Sequence, residues 1–347
     1  MHGVVSSDWH FDGLKSLFPT NHATMVANEV EKVYQYAVDN GIKYVFVPGD
    51  IADNYKISPE SQRAILSILV KYDGLITTYY MMGNHDFGDV STTSLDVFQS
   101  ISEFSLLKTF HIVRQRKAID IEGVTVNFCP FPYKTPMETK RPSINMIHAN
   151  VAGAIGDNGK PLRVKEDVEL AEGSFTFGGH IHKHQFLKKK ATVLCGNLYQ
   201  KNFGESGQKG FVEFKAKYAD RKLKVKWNYV ETRPNFTLET VHIKRQEDFG
   251  SLKANPKVKY RLYVAEGIIV PNKLKREIPN IEQIWEVRGK KVAFDDLESQ
   301  FIQDTAELPK INPTVGLGQY MKKAGFSKKE YLEGKRLVEE VVNQLTA

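Results

Sequence analysis

Through the first third of the chain, short apolar runs alternate with amphipathic stretches, and each run breaks off at a cluster of polar residues. "GVVSS" (3–7) reads as a strand. Residues 23–40 read as a helix with Val26, Val30, Val33 and Ala37 on one face and Asn40-Gly41 as its stop. "YVFV" (44–47) is a buried strand closed by Pro48-Gly49. Ser58 and Pro59 supply an N-cap followed by proline at the first helical position, opening a helix that carries Ile65, Leu66, Ile68 and Leu69. "LITTYYMM" (75–82) is the next strand. The β-α-β-α-β order predicts a parallel sheet with helices packed on it.

From about residue 119 the rhythm shortens to "AIDIE", "VTVNFCPFP", "INMIHAN", "FTFGGHIH", "TVLCGN", "GFVEFKA" and "LKVKWNYVE". A helical pattern interrupts these strands only around 163–172, so a second sheet packed against the first is expected. "TRPN" (232–235) reads as a linker, and "TLETVHI", "VKYRLYV", "PNKLKREI" and "IEQIWEV" follow on a smaller α+β scale. The predicted division is a large domain over 1–232, a small α+β domain over 236–306 and a helical hairpin over 310–347. In that tail Ser327 and Glu330 stand in capping-box spacing with Phe326 and Tyr331 at the staple positions. Tyr331, Val338, Val342 and Leu345 form one apolar stripe. The stripe reads either as a helix packed on its own domain or as a surface for another protein's helix.

A chain of 347 residues, 41% hydrophobic and 26% charged, has the composition of a soluble globular protein with room for a sizeable core. No apolar run approaches the roughly 20 residues of a membrane span, and "VVSSDWH" turns polar too early for a signal peptide. Two cysteines, Cys129 and Cys195, make no disulfide framework and read as buried thiols of a cytoplasmic protein. The net charge of +7, from 48 basic and 41 acidic residues, favours a polyanionic partner.

The polar clusters carry the chemistry. Asp8, His10, Asp50, Asp53, Asn84, His85, Asp86, His148, His180 and His182 all fall at predicted strand ends. In open α/β sheets ligands bind beyond the carboxyl ends of the strands, so these residues should converge. Carboxylate, imidazole and amide oxygens together suit divalent ions such as manganese, magnesium, iron or zinc. Asp8 and His10 alternate by one, as do His180 and His182, so on a strand each pair points one way. So many ligands fit two metals better than one, with a bridging carboxylate. Asp50, at the end of the central strand, is the natural bridge. The isolated His2, His22, His111 and His242 read as surface or core histidines, His184 as a loop residue near substrate, and Lys188 to Lys190 as a solvated hairpin tip.

D-x-H, G-D-x-x-D, G-N-H-D, a later histidine and G-H-x-H, in that order, resemble the calcineurin-like metallophosphoesterase superfamily. "GGHIHKHQ" followed by "VLCGNLYQKNFGESGQKGF" resembles the SbcD-type nuclease subunits, including those of tailed bacteriophages. The resemblance implies a two-sheet α/β fold flanked by helices, with a small capping domain and a C-terminal helical hairpin. It implies a first metal held by Asp8, His10 and His182, a second held by Asn84, His148 and His180, and Asp50 bridging both; manganese is the usual ion. It makes His85 the catalytic residue at the scissile phosphate, with Asp86 accepting its hydrogen bond. Asp53 stands where the archaeal and eukaryotic branch has a histidine, so no role is carried over to it.

The activity implied is hydrolysis of DNA phosphodiesters, as exonuclease and endonuclease, by a homodimeric subunit working with an SbcC-type coiled-coil ATPase in recombination and repair. The competing readings are a phosphoesterase for small nucleotides or phosphoproteins, and a DNA-end-binding scaffold without catalysis. The small domain and tail count against the first of these, and the filled ligand positions against the second.

Truncation after about residue 310 separates the two readings of the tail. The docking reading expects basal nuclease activity on short DNA to persist while co-purification with the ATPase is lost. An unfolded product, or one that still binds the ATPase at full affinity, would make the tail part of its own domain.

Overall fold

The computed structural model describes residues 1–286 except 89–91, 104–105, 158, 165–166 and 206. The helical hairpin expected over 310–347 and the part of the expected small domain after 286 therefore lie outside the described residues. The chain opens with β1 (His2–Val5), α1 (His22–Asp39), β2 (Tyr44–Pro48), α2 (Pro59–Tyr72), β3 (Thr77–Met81), α3 (Asp96–Glu103) and β4 (Phe110–Val113). The four strands pair in parallel. Helix α1 buries Val26, Val30, Val33 and Ala37, the face that the periodicity predicts. Helix α2 starts where Ser58 accepts a hydrogen bond from the Ser61 amide with Pro59 in its first turn, so the cap is as expected.

The second group of strands is β5 (Lys117–Ile121), β6 (Val124–Cys129), β7 (Ile144–His148), β8 (Phe175–Gly179), β9 (Gln185–Leu187) and β10 (Thr192–Leu194). They form a six-stranded sheet in the order β5-β6-β7-β8-β10-β9. The chain then returns through β11 (Gly210–Ala219) and β12 (Lys222–Glu231), which add antiparallel to β1. The first sheet thus runs β12-β11-β1-β2-β3-β4. Strand pleat divides each side chain between two cores. Val4, Val45, Val47 and Tyr80 face the helices, whereas Val5, Phe46, Met81 and Phe214 meet Phe128, Met146 and Phe177 of the second sheet. This is a mixed α/β fold of two stacked sheets flanked by helices, as expected from the sequence.

Three parallel strands, β13 (Thr237–Ile243), β14 (Val258–Val264) and β15 (Ile281–Glu286), make a small third sheet around Leu262, Val264 and Ile243. The short helix α4 (Leu274–Glu277) precedes β15. Phe236 packs on Phe18 and Tyr199, and Gln200 bonds the Leu238 backbone, which ties this sheet to the first two.

Strands β4 and β9 and helix α3 are too short to stand out in the sequence. The stretch 163–172 is not a helix in its described residues; with the chain from 149 it forms irregular cover in which Val151, Ala154 and Val168 shield the outer face of the second sheet. Lys188 to Lys190 form a single tight turn between β9 and β10, consistent with a hairpin tip. Both cysteines are buried and unpaired. No helix among the described residues is long and apolar enough to cross a membrane.

Candidate metal centre

All the polar clusters meet at the carboxyl edge shared by the two sheets. Beyond β1 the chain is not a strand: Asp8 and His10 have φ of 55° and 44°, in the left-handed region. Side-chain direction along a strand is therefore not what aligns them. The segment instead runs beside the one that follows β2, with the Asp8 amide on the Gly49 carbonyl at 3.2 Å and the His10 amide on the Asp50 carbonyl at 3.0 Å. Trp9 between them is fully buried and packs edge-on against Tyr34 and Tyr80. Burial of that indole anchors the loop while its two neighbours line the site. His180 is likewise past the end of β8, with φ of 81°.

Asp50 occupies the middle. Its Oδ1 lies 3.2 Å from His148 Nε2 and its Oδ2 lies 3.8 Å from His10 Nε2, so each oxygen faces a different group of side chains. Asn84 Oδ1 is 2.9 Å from His148 Nε2 and 2.8 Å from His180 Nδ1. On the other side, His10 Nε2 and His182 Nε2 face each other at 2.9 Å, and Asp8 completes that group. Asp8 also accepts the His180 amide, linking the two halves. Two glycines make the approach possible. A Cβ on Gly49 would lie 2.2 Å from His148 Nδ1, and one on Gly83 would lie 2.2 Å from Asp50 Oδ1.

The outward nitrogens of the histidines are tied down. His148 Nδ1 donates to the Pro48 carbonyl at 2.7 Å, His182 Nδ1 donates to Glu205 at 2.8 Å, and His10 Nδ1 faces Asp53 at 3.3 Å. Each tie leaves Nε2 as the inward lone pair, the usual way in which a neighbouring acceptor orients a ligating imidazole. These inward nitrogens, with Asn84 Oδ1 and the carboxylates of Asp8 and Asp50, are a donor set suited to divalent cations.

The charges at the site point the same way. Burial pushes the Asp8 carboxyl up to about 6 and holds the His10 imidazole down to about 3. Burial, helped by the neighbouring His148, takes His180 down to about 3. Burial would lower His148 and His182 too, but Asp50 and Asp8 lift the first to about 9, while Glu205 and Asp8 lift the second to about 9. For Asp50, burial is outweighed by His148, His10 and His85, which keep it well below the ordinary range. Protons on His148 and His182 thus stand where cations would bind.

His85 donates from Nδ1 to the Asp53 backbone carbonyl at 2.8 Å, and its ring meets that of His10 edge-on at 4.8 Å. Asp86 does not accept from His85, contrary to the expectation from sequence. Its carboxylate is turned inward and accepts from the amides of Gly83, Ala52 and Ile51 and from the Ser94 hydroxyl. It staples the loop after β3 to the loop after β2, and a carbonyl orients the histidine instead. His85 also stands close enough to Asp50 and His10 to count as a possible ligand.

Sequence reasoning passed over Glu205 and Lys201, which lie in the loop between β10 and β11. Glu205 is buried and accepts from His182, Asn197, Lys209, Asn202 and the Lys201 amide. The Lys201 ammonium pairs with Asp53 and lies 3.4 Å from His10 Nδ1. Their only sequence signal is an acidic and two basic residues inside "GNLYQKNFGESGQKG". His184 lies outside the ligand groups: Nδ1 bonds the Leu194 carbonyl and the ring stacks on Tyr229 at 3.9 Å. His2 bonds Glu213, His22 bonds Asp12, and His111 and His242 stack on Tyr79 and Tyr263.

A family model described as calcineurin-like phosphoesterase matches residues 1–184. No curated protein sequence matches. Among solved structures, a novel archaeal phosphodiesterase is 9% identical, covering 66% of this chain and 100% of its own, at a TM-score of 0.32. GAP50, the anchor in the inner membrane complex of Plasmodium, is 12% identical over 67% of this chain and 85% of its own, at 0.38. Vps29 of Entamoeba histolytica is 13% identical over 67% of this chain and 100% of its own, at 0.28. Overlaps this loose carry no argument about function.

Two outcomes test the geometry. His85→Ala should bind divalent metal in the same amount as wild type while losing ~10²–10⁴-fold in hydrolysis rate; loss of metal on elemental analysis would make His85 a ligand. Glu205→Gln should weaken metal binding by about 10–100-fold. In wild type, calorimetry in buffers of different ionisation enthalpy should show protons leaving His148 and His182 on loading at pH 7. That release should fade as pH rises past about 9, where both imidazoles are already neutral. In the Glu205 variant the share from His182 should be smaller.

Proposed function

The chain belongs to the calcineurin-like phosphoesterase family, and we propose that within it the protein is a DNA nuclease of the SbcD type. The observation that carries hydrolysis is the position of Asp50, one oxygen toward each of two ligand groups. Asp8, His10 and His182 would hold one divalent cation and Asn84, His148 and His180 the other, with manganese the expected ion. Bound there, such a pair lowers the pKa of a water and screens charge on the phosphoryl oxygens.

The protein's own part follows from the hydrogen bonds. The Asp53 carbonyl holds the Nδ1 proton of His85, so Nε2 is the nitrogen left to meet the substrate and, when the ring is an imidazolium, to give up its own proton to the leaving oxygen and return to the neutral Nδ1–H form. The Asp53 carboxylate stays ionised because its contacts with His10 and Lys201 outweigh burial. It keeps the Lys201 ammonium beside the centre, where it meets the charge of an incoming phosphate.

Three features favour DNA over a small phosphoester. The tract that carries the resemblance to SbcD-type subunits supplies Glu205, the support of His182. A further folded sheet follows the phosphoesterase part, which a small substrate does not require. The net charge is +7. In this reading the subunit is a cytoplasmic homodimer that pairs with an SbcC-type ATPase in recombination and repair.

Labelled linear DNA incubated with Mn²⁺, with and without the ATPase, tests the proposal. Wild type should release nucleotides or cut fragments, and Asp50→Ala should reduce this to background. Hydrolysis of a small aryl phosphodiester with no cleavage of any DNA would overturn the nuclease reading and leave a phosphodiesterase for small substrates.

A further inference from the structure

Strands β11 and β12 form a ribbon whose two faces differ sharply. Leu223, Val225, Trp227 and Tyr229 pack against the core between the two sheets. The opposite face carries Lys215, Lys217, Lys222, Lys224 and Lys226, all exposed. The register sets Lys215 directly opposite Lys226 and Lys217 directly opposite Lys224. Like charges placed opposite each other on an antiparallel pair are unfavourable, and here two such pairs are adjacent. On this face Asp220 pairs with Lys224 at 3.1 Å, and Glu213 takes hydrogen bonds from His2 and Tyr36.

Lysines on an exposed edge strand commonly serve to block pairing with other chains. That accounts for Lys222, Lys224 and Lys226, because β12 is the edge. It does not account for Lys215, which is paired with His2 of β1 on one side and Lys226 of β12 on the other. Facing lysines along one strand repeat every two residues, roughly 6.8 Å, a spacing commensurate with successive phosphates of one nucleic-acid strand.

We infer that this ribbon is a binding track for the phosphate backbone of duplex DNA. The inference rests on the nuclease reading above. The Gly210 amide bonds the Asn197 carbonyl in the loop that bears Glu205, so β11 starts beside the metal centre and leads away from it. Lys215 lies five residues along, roughly 17 Å, and the ribbon ends roughly 30 Å out. A duplex seated in the site must be roughly 30 Å long, close to one turn of about 34 Å, to reach the end of the ribbon. The track therefore contributes to the hold on long duplexes and not to the chemistry.

The test replaces Lys215, Lys217, Lys224 and Lys226 by glutamine in the full chain. Binding to a duplex of about 30 base pairs, three turns, is followed by fluorescence anisotropy in EDTA over a range of salt. On the long duplex the variant should bind at least about tenfold more weakly, with a log–log salt slope shallower by roughly 3–4, near 0.9 for each lost contact. Mn²⁺-dependent hydrolysis of a small aryl phosphodiester, which is too small to reach the track, should be equal in the two proteins. Lysine-to-arginine replacements should restore the long-duplex affinity.

An unchanged affinity and slope, in a protein whose wild type binds the long duplex, would overturn the track and leave the nuclease reading standing. A wild type that hydrolyses the small diester but neither binds nor cuts DNA would overturn both. Binding through these lysines to anionic lipid vesicles, with no binding to DNA, would likewise overturn the track.

Discussion

The carboxylate of Asp50 is the constraint on which the rest of the structure depends. It is 1% exposed, its backbone is held at φ of 54°, and its oxygens are shared between two sets of imidazoles. A lone buried carboxylate is costly and ordinarily takes up a proton instead of staying charged. Here the surrounding histidines keep it ionised, and their own placement depends on it. The glycines at 49 and 83 then follow from simple exclusion, since any side chain there would occupy the space that Asp50 and His148 need.

Around that carboxylate the protein arranges protons as carefully as it arranges ligands. Three outward imidazole nitrogens have a hydrogen-bond acceptor, a backbone carbonyl for His148 and His85 and Glu205 for His182, and Asp53 faces that of His10. The choice matters electrostatically. A carbonyl fixes a tautomer without adding a full charge, whereas Glu205 adds one and lifts His182 to about 9. Glu205 is in turn held below the ordinary range, although burial opposes this, because His182, Lys209 and Asn197 crowd it with donors. The loop that returns the chain from the second sheet to the first is thus part of the site, and stability and chemistry are coupled through it.

The ribbon of β11 and β12 shows the same economy at the surface. One face closes the core between the sheets with aromatic and branched side chains, and the other concentrates positive charge. Because side chains alternate across the pleat, the strands serve both ends without compromise between them.

Much of this was legible in the sequence. Apolar spacing marked α1 and its buried face, Ser58-Pro59 marked the start of α2, and the polar clusters stood at the ends of the strands that bring them together. Those features are local: periodicity, capping and strand ends depend on neighbours within a few residues. The acceptors behind the histidines are not local. Glu205 reaches His182 only because β11 returns beside β1, and Asp86 turns away from His85 because the amides of Ala52 and Gly83 offer it better partners. Nor could alternation along a strand place Asp8 and His10, whose backbone has already left the extended region. Residue identity and order determined which groups could serve as ligands. The stacking of two sheets determined which groups meet, because contacts across tens or hundreds of residues exist only once the core between the sheets has closed.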